Sequence, residues 1–222
     1  NGSRYYGEDL PINTWYMKRF AGLSEDGLSL WYYTDKETNE EKTTTTYSTG
    51  DFYLCGDPNP DLYGGFGTSI TFHGFDLSTQ FSYLVGGLTY DYGYAGMMGN
   101  PTATSVGNRW HKDVLKAWSP ENPSSTIPRW HFNDLNTTGS SDRFLIDGSY
   151  LNLQNIQVGY TLPDSWTSHL KIKNLRLYFV CDNVYYWSKR KGLDPRRSIS
   201  GVGTSGKIAP FRTYSGGISL QF

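Results

Sequence analysis

Apolar and polar residues alternate along several stretches of this chain, most clearly from Phe75 to Val85. Most odd positions there are apolar or aromatic and most even positions are polar, which is the period of a β-strand with one apolar face. The stretch from Gly67 to His73 alternates in the same way, and only His73-Gly74 separates the two runs. These residues predict an antiparallel hairpin with a very short turn.

The same period predicts further strands elsewhere in the chain. The alternation between Arg143 and Leu162 changes phase near Gln154-Asn155. A β-bulge at that point, or a strand that rises out of a membrane before it twists, would reconcile its two halves. An Asp-Gly pair, a strong hairpin signal, stands between two aromatic-rich stretches. The remaining predicted strands are two around Glu25-Asp26-Gly27 within Pro11 to Thr34, one from Leu175 to Trp187, and one from Thr213 to Phe222.

The last of these strands leaves two architectures open. One of its faces carries Tyr214, Ile218, Leu220 and Phe222, and the other carries small polar residues and Gly217. A soluble β-sandwich would bury the apolar face against a second sheet, whereas an outer-membrane barrel would turn it to lipid. A tilted strand of about 9 to 11 residues crosses a bilayer, so this strand is long enough for either architecture.

The lengths of the connections decide between the two. When strands are counted back from Phe222, three long loops fall on one side of the sheet, at 35–61, 91–142 and 188–209, and the tight turns near Pro163, Gly74 and Asp26 fall on the other. Long loops on one rim and short turns on the opposite rim are typical of outer-membrane barrels. We expect the polar stretch from Asp35 to Gly50 to be a solvated loop that contributes nothing to a core.

Composition is compatible with this prediction. The chain has 222 residues, a net charge of -1, 18 Tyr, 7 Trp and 25 Gly, and its mean hydropathy is -0.55. The near-neutral charge gives no indication of nucleic-acid binding. No run of 18 or more apolar residues occurs, which excludes a transmembrane helix but leaves membrane strands possible, since they alternate.

Candidate chemistry is concentrated in the loop between Asp91 and Asp142, which holds three tryptophans. Their rings could pack the loop onto itself, or some could stack on a ligand such as a sugar. The Trp-rich loop therefore also suggests a soluble extracellular carbohydrate-binding β-sandwich. A glycoside hydrolase would need two facing carboxylates, and no acidic spacing selects a pair. The histidines and cysteines form no metal motif, although a disulfide between Cys55 and Cys181 is geometrically possible.

Six phrases in order along residues 50 to 222 resemble the SusC/RagA-like TonB-dependent transporters of Bacteroidota. Each phrase alone is weak, but together they are specific. The phrases are Gly56-Asp57-Pro58-Asn59-Pro60-Asp61-Leu62-Tyr63-Gly64-Gly65-Phe66 with Phe72-His73-Gly74-Phe75-Asp76-Leu77-Ser78, Trp118-Ser119-Pro120-Glu121-Asn122-Pro123 with Ile127-Pro128-Arg129, Phe144-Leu145-Ile146-Asp147-Gly148-Ser149-Tyr150-Leu151, Gly159-Tyr160-Thr161-Leu162-Pro163, Lys191-Gly192-Leu193-Asp194-Pro195, and Pro210-Phe211-Arg212-Thr213-Tyr214 running to Phe222.

The resemblance implies an all-β fold, an antiparallel transmembrane β-barrel. Residues 1–222 would be the C-terminal part of one barrel domain, contributing roughly eight strands to a barrel of about 22 strands. The plug, the TonB-contacting segment and the N-terminal extension would lie outside these residues. Around Asp35 to Asp51 the chain departs from its relatives, which often carry an Asp/Asn-rich loop there, so we transfer no bound cation to it.

The resemblance also implies import of a nutrient, a glycan fragment or a peptide, across the outer membrane, with no enzyme activity and no cofactor. The implied partners are a SusD-like surface lipoprotein, the TonB complex through the absent N-terminal part, the barrel-assembly machinery and membrane lipid. Expected ligand or lid contacts are Trp110, Trp118, Arg129, Trp130 and His131. The expected lipid-facing wall comprises Leu77, Phe81, Leu177, Phe179, Ile218 and Leu220, and the expected assembly signal comprises Tyr214, Leu220 and Phe222.

Overall fold

A computed structural model describes residues 4–102, 109–137, 139–167, 171–190, 194–197, 200–202 and 210–222. Residues 191–193, which begin the fifth phrase of the resemblance, lie outside the described residues. The chain divides into two compact units. Unit 1 comprises Asn1–Asn59, Gly87–Asp147 and Pro195–Gly206, and unit 2 comprises Pro60–Gly86, Gly148–Asp194 and Lys207–Phe222.

Strands dominate the described residues. They are β1 (Arg4–Tyr5), β2 (Thr14–Lys18), β3 (Phe20–Leu23), β4 (Ser29–Thr34), β5 (Glu41–Thr44), β6 (Phe52–Leu54), β7 (Leu62–Phe72), β8 (Phe75–Val85), β9 (Leu88–Tyr90), β10 (Leu145–Asp147), β11 (Tyr150–Thr161), β12 (Asn174–Ser188) and β13 (Thr213–Gln221). Two short α-helices are α1 (Tyr92–Met98) and α2 (Asp164–Thr167), and 3₁₀ turns lie at Lys112–Lys116, Asp142–Phe144 and Pro195–Arg197. None of the helices within the described ranges is both long and apolar enough to cross a bilayer.

Unit 2 is built on one antiparallel sheet of five long strands in the order β13-β12-β11-β8-β7. The predicted hairpin between β7 and β8 is confirmed, and β7 begins five residues earlier than the alternation suggested. Its two-residue turn places His73 at φ 47° and Gly74 at φ 85°. Positive φ at both central residues is the requirement of a type I′ turn, whose twist matches that of the flanking strands.

A register shift in β11 lies where the sequence predicts a bulge, between Leu153 and Asn155. Before the shift Leu153 lies opposite Phe81, and after it Val158 lies opposite Leu77. Phe81 and Leu77 are both odd positions of β8, so Leu153 and Val158 share one face of the sheet despite their opposite parity. One extra residue in β11 thus keeps the apolar face continuous.

The connections of this sheet are sorted by length. The β7–β8 turn and the β11–β12 connection at 162–173 lie at one end of the strands, because Tyr160 pairs with Phe75 and Thr161 with Arg176. The connections at 86–149 and 189–212 leave and return at the opposite end. The predicted separation of long loops from short turns is therefore present in the four connections of the sheet. The turn near Asp26 does not follow the prediction, because the loop 91–142 contacts it through the hydrogen bond from the Arg129 N–H to the Gly27 carbonyl at 2.9 Å.

A bidentate ion pair crosses the polar face of the sheet. Arg176 on β12 donates from Nε to Asp76 Oδ1 at 2.9 Å and from Nη2 to Oδ2 at 2.5 Å. Between the two side chains runs β11, whose Gly159 lies directly opposite Asp76. A Cβ at Gly159 would overlap the Asp76 carboxylate and press on the Arg176 guanidinium. The glycine thus supplies the space in which the pair forms.

Unit 1 contains the buried apolar core of the chain. Trp15, Met17, Tyr90, Met98 and Phe144 form one cluster, in which Trp15 is fully buried and donates from Nε1 to the Leu88 carbonyl at 3.1 Å. Small sheets surround it, in the orders β1-β2-β6, β9-β10 and β3-β4-β5. This unit is held together mainly by aromatic packing between short elements.

The two strands predicted between Pro11 and Thr34 are three in the structure. The predicted hairpin at Asp26-Gly27 is present between β3 and β4, but the first strand is interrupted after Lys18. The reason is that the Phe20 N–H donates to Asp142 Oδ1 at 2.8 Å rather than to a strand. Consequently β2 pairs with β1 and β6, while β3 pairs with β4.

The prediction that Asp35 to Gly50 is only a solvated loop is wrong in part. Residues Glu41–Thr44 form β5 on the edge of β4, and the Tyr47 ring meets Trp31 edge-on at 5.1 Å. Buried Lys18 donates from Nζ to three carbonyl oxygens of the region, those of Tyr47 at 2.6 Å, Ser48 at 3.2 Å and Gly50 at 2.6 Å. Burial lowers the pKa of Lys18, while the three carbonyls satisfy all three ammonium donors.

Replacing Gly159 with alanine tests the dependence of the ion pair on open space. We expect G159A to be less stable than G216A by about 1 kcal/mol, because it separates charge-assisted hydrogen bonds. Gly216 is the matched control, since its Cβ would come no closer than 3.8 Å to the Tyr178 carbonyl. Guanidinium unfolding of the purified protein measures the difference. Equal stability of the two variants would contradict a role for Gly159 in holding the pair.

Candidate functional site

Three of the predicted contact residues gather around the end of α1. The Trp110 and Trp130 rings meet edge to face with centroids 5.6 Å apart, and Trp110 Nε1 donates to the Gly99 carbonyl at 3.0 Å. The His131 N–H donates to Asn100 Oδ1 at 3.4 Å. Helix α1 begins at an Asp91 cap and ends at Gly99, so its C-terminal end anchors both halves of the aromatic pair.

Within this group the two tryptophans differ in exposure. Trp110 is half-buried, whereas Trp130 is 44% exposed and His131 is also exposed. An exposed ring supported from behind by a second ring is a preorganised apolar surface that loses little conformational entropy when a ligand covers it. Trp130 and His131 are therefore the members of this group that a ligand or partner could reach.

The other two predicted residues, Trp118 and Arg129, flank the β3–β4 turn. The Arg129 N–H donates to the Gly27 carbonyl at 2.9 Å, and the Trp118 N–H donates to the Ile127 carbonyl at 2.8 Å. Gly27 has φ 72°, and a Cβ at this position would overlap the indole ring of Trp118. Arg129 Nε is buried and has no hydrogen-bond partner within the described ranges. The sequence predicted these residues but not their grouping with the turn.

A cavity of about 350 Å³ lies beside Trp118 in unit 1. Its walls include Phe20, Leu23, Trp118 and the segment 123–126, which contributes serine and threonine hydroxyls. Gly22 also lines it, with φ 107° and open space where a side chain would stand. A glycine of this kind permits close approach of another backbone or ligand. The cavity thus combines one indole ring with hydroxyl groups.

Sequence reasoning missed two polar features of this unit. Asp113 accepts from the Tyr94 hydroxyl at 3.1 Å and pairs with Lys116 at 3.3 Å, while His111 Nδ1 lies 3.1 Å from the same carboxylate. Burial opposes ionisation of Asp113, but the hydrogen bonds from Tyr94 and Lys116 outweigh it and lower its pKa. The spacing of His111, Asp113 and Lys116 along one turn is the only sequence signal of this cluster.

Arg143 is the second feature. Its guanidinium lies 5.3 Å from the Phe20 ring centroid and 5.0 Å from that of Phe144, and burial lowers its pKa to about 10. Burial also raises the pKa of the neighbouring Asp142. The contact with Phe144 is between sequence neighbours, but the contact with the Phe20 ring depends on the tertiary fold and has no local sequence signal.

Three acidic residues of the loop 91–142 accept hydrogen bonds from different neighbours. Asp142 accepts from the Phe20 N–H, Asp113 belongs to the tyrosine-lysine cluster, and Asp134 accepts from the Asn136 N–H at 3.0 Å. The described ranges contain no group of three or more His, Cys, Asp or Glu residues suited to a metal ion. Cys55 and Cys181 are both free thiols.

The predicted wall residues share the apolar face of the five-stranded sheet. Rows of paired residues run across it, for example Ile70, Leu77, Val158 and Phe179. Phe81 stacks on Phe66 at 4.8 Å, and the other predicted wall residues are exposed, as are Tyr214 and Phe222. The exposed wall residues are Leu77, Leu177, Phe179, Ile218 and Leu220.

Comparison with known proteins gives relatives that are named TonB-dependent receptors. The chain is 29% identical over 228 residues to the TonB-dependent receptor P3 of Formosa agariphila, covering 98% of this chain and 21% of the relative. It is 27% identical over 182 residues to the TonB-dependent receptor SusC of Bacteroides thetaiotaomicron, covering 80% of this chain and 17% of SusC. The chain thus spans about a fifth of the length of these relatives. No protein-family model matches it.

Solved structures agree with the sequence matches. The RagAB peptide transporter superposes with a TM-score of 0.77 at 25% identity, covering 94% of this chain and 23% of that chain. The RagAB peptide importer in its closed-closed state gives a TM-score of 0.78 at 24% identity, covering 99% of this chain and 25% of that chain. These relatives confirm the predicted resemblance and the predicted outer-membrane location, and their names denote receptors and transporters, consistent with a protein that is not an enzyme.

The contact between Gly27 and Trp118 can be tested directly. Gly27→Ala introduces a Cβ into the indole ring at a positive φ, so we expect a loss of about 2 kcal/mol in unfolding free energy from overpacking and backbone strain. Guanidinium unfolding followed by tryptophan fluorescence measures it. Gly96→Ala, whose Cβ meets open space, serves as the control. A Gly27→Ala variant as stable as Gly96→Ala would show that Trp118 does not support the turn.

Proposed function

Since the chain resembles SusC/RagA-like TonB-dependent receptors of the outer membrane, we propose that it takes part in TonB-dependent import of a glycan or a peptide. In this proposal residues 1–222 are the C-terminal part of one β-barrel domain, contributing roughly eight strands to a barrel of about 22 strands. The plug and the N-terminal extension belong to other parts of the transporter. The chain itself supplies barrel wall and extracellular loops.

The exposed apolar face of the five-stranded sheet is the observation that carries this proposal. Leu177, Phe179 and Ile218 are 43%, 50% and 65% exposed on that face. A monomer in water rarely exposes a contiguous apolar surface spanning five strands, because such a surface promotes association. In a bilayer the same surface contacts acyl chains at no such cost. A soluble carbohydrate-binding sandwich would instead cover this face with a second sheet.

The opposite face of the sheet suits a lumen. It carries Ser78, Gln80, Gln157 and Ser215, together with the Asp76–Arg176 ion pair. Alternation of lipid-facing and lumen-facing residues along each strand is the pattern of transmembrane barrels. The two faces of unit 2 therefore support a wall between lipid and water.

The direction of insertion follows from the connections. Short turns face the periplasm and long loops face outward in barrels of this kind. The turn at His73-Gly74 and the connection at 162–173 would then be periplasmic, and the connections at 86–149 and 189–212 extracellular. The loop from Asp91 to Asp142, which carries Trp110 and Trp130, would be an extracellular loop in this orientation.

This placement assigns a role to the loop residues. Trp130 and His131 offer exposed apolar and polar surface, and the cavity beside Trp118 adds hydroxyl groups and an indole ring. We assign Trp110, Trp118, Arg129, Trp130 and His131 to contact with the nutrient or with a SusD-like surface lipoprotein that closes the barrel from outside. Aromatic faces with nearby hydroxyls suit a sugar ring or a peptide side chain equally.

No covalent step is required of this chain. The inner-membrane TonB complex would pull on the plug through the N-terminal part, and the wall would stay in place while the lumen opens. Tyr214 lies near the start of β13, Leu220 lies near its end and Phe222 follows it directly. Together they would serve the barrel-assembly machinery as a recognition signal. Phe222 is 73% exposed beyond the last strand, as such a signal requires.

A lysine scan of both faces tests the wall. Lysine at Leu77, Phe179 or Ile218 should cost about 2 to 4 kcal/mol near the bilayer midplane, since it places a charge in hydrocarbon. Lysine at Ser78, Gln80 or Ser219 is the matched control on the polar face and should be tolerated. The stability of the full-length transporter folded into lipid vesicles is measured. Similar costs on both faces would refute the barrel.

Truncating Trp130 tests the loop assignment. We expect Trp130→Ala to weaken binding of the nutrient or the lipoprotein about tenfold, because it removes one exposed aromatic surface. Trp166→Ala is the control, since this tryptophan is 66% exposed in α2 at the other end of the strands. Nutrient-dependent growth and recovery of the lipoprotein with the tagged transporter are the readouts. Indistinguishable behaviour of the two variants would remove Trp130 from the site.

A further inference from the structure

An apolar groove lies on the membrane-facing side of unit 2, where β8, β11 and β12 approach the end of the sheet that carries the long connections. Its volume is about 500 Å³, and its lining includes Tyr83, Val85, Leu151, Trp187 and Lys189. The pairing places Leu151 between Tyr83 on one side and Trp187 on the other. Leu151 therefore forms the floor of the groove and the two rings form its walls.

The groove exists because both rings lean away from Leu151. Tyr83 lies over Gly64 of β7, where a Cβ would approach its hydroxyl oxygen to 2.9 Å. Trp187 packs along its own strand against Tyr185, with ring centroids 4.8 Å apart. The missing side chain at Gly64 lets the Tyr83 ring lean toward β7, and the contact with Tyr185 holds the Trp187 ring along β12. A cleft therefore stays open above Leu151.

The floor of the groove lies inside the sheet. Leu151 on β11 pairs with Tyr83 of β8 on one side and with Trp187 of β12 on the other. The pairing of β12 with β13 covers Asn174 to Asp182 and stops before Trp187. Further strands added at the β7 or β13 edge would not become neighbours of Leu151.

A cation stands at the end of the groove. Lys189 follows β12 directly and is exposed, so it lies at the rim where the strand leaves the sheet. A positive charge beside apolar and aromatic walls complements a lipid that carries acyl chains and an anionic headgroup. Free phosphate would contact only the charge, and a neutral lipid would contact only the apolar walls. Aromatic walls at this level match the interfacial girdle of a membrane barrel.

We propose that this groove binds one acyl chain of a phosphorylated lipid of the outer leaflet, with Lys189 contacting a phosphate of the headgroup. The proposal rests on the proposed function, which sets this end of the strands outward. Leu151, Tyr83 and Trp187 hold the chain, and the ammonium of Lys189 fixes the headgroup at the rim.

Native mass spectrometry of the full-length transporter tests the site. The delipidated protein is titrated with diphosphoryl lipid A or with the same lipid after its phosphates are removed. Leu151→Trp fills the groove and should abolish the most tightly bound lipid. Lys189→Glu should weaken the phosphorylated lipid at least about fivefold, the effect of one basic residue near an anionic lipid surface, and leave the dephosphorylated lipid unchanged.

Two matched variants lie outside the groove. Val158→Trp adds the same ring to the same face of β11. Lys173→Glu reverses the charge of an exposed side chain at the opposite end of β12. Neither should alter lipid binding. Equal loss in all four variants, or no loss in Leu151→Trp, would overturn the site. The same samples are checked for a folded barrel by its heat modifiability. If the proposed barrel wall is wrong, the wild-type protein will not fold in this check, and this outcome is distinct from a loss of lipid binding.

Discussion

The five-stranded sheet keeps one continuous apolar face because β11 bulges at Gln154, which has no partner residue in β8. Side chains along a strand alternate with a period of two, so in a regular strand Leu153 and Val158, which are five residues apart, would point to opposite sides. One side would then place leucine and valine among the serines and glutamines of the polar face. Every other property of unit 2, from the exposed apolar rows to the Asp76–Arg176 pair across Gly159, requires that the two faces stay separate.

The two units use aromatic residues in different ways. In unit 1 the rings of Trp15, Tyr90 and Phe144 pack inward and form a core between short strands. In unit 2 the rings of Phe179 and Tyr214 stack on a surface that stays exposed. The same high aromatic content therefore belongs to a packed core in one unit and to an exposed apolar surface in the other, and composition alone does not separate the two.

Sequence patterns predicted the long strands well, because alternation and the His73-Gly74 turn are local properties. The bulge was also visible, since a phase change within β11 leaves a trace in one strand. Strand β5 was missed because its charged and threonine residues resemble a loop, and its pairing with β4 depends on tertiary structure. The residues around α1 and the β3–β4 turn were identified by type, but the contact of Arg143 with Phe20 and the grouping of Trp118 with Gly27 arise from residues distant in sequence.

The edges of the sheet bear on how such a wall can enter a membrane. Strands β7 and β13 each pair on one side only within the sheet, so each presents a row of backbone N–H and C=O groups. In hydrocarbon each such unsatisfied group costs several kcal/mol. In the proposed wall, neither edge could enter lipid before another strand or a folding catalyst occupied its hydrogen bonds. Insertion of such a wall would therefore be coupled to pairing at both edges.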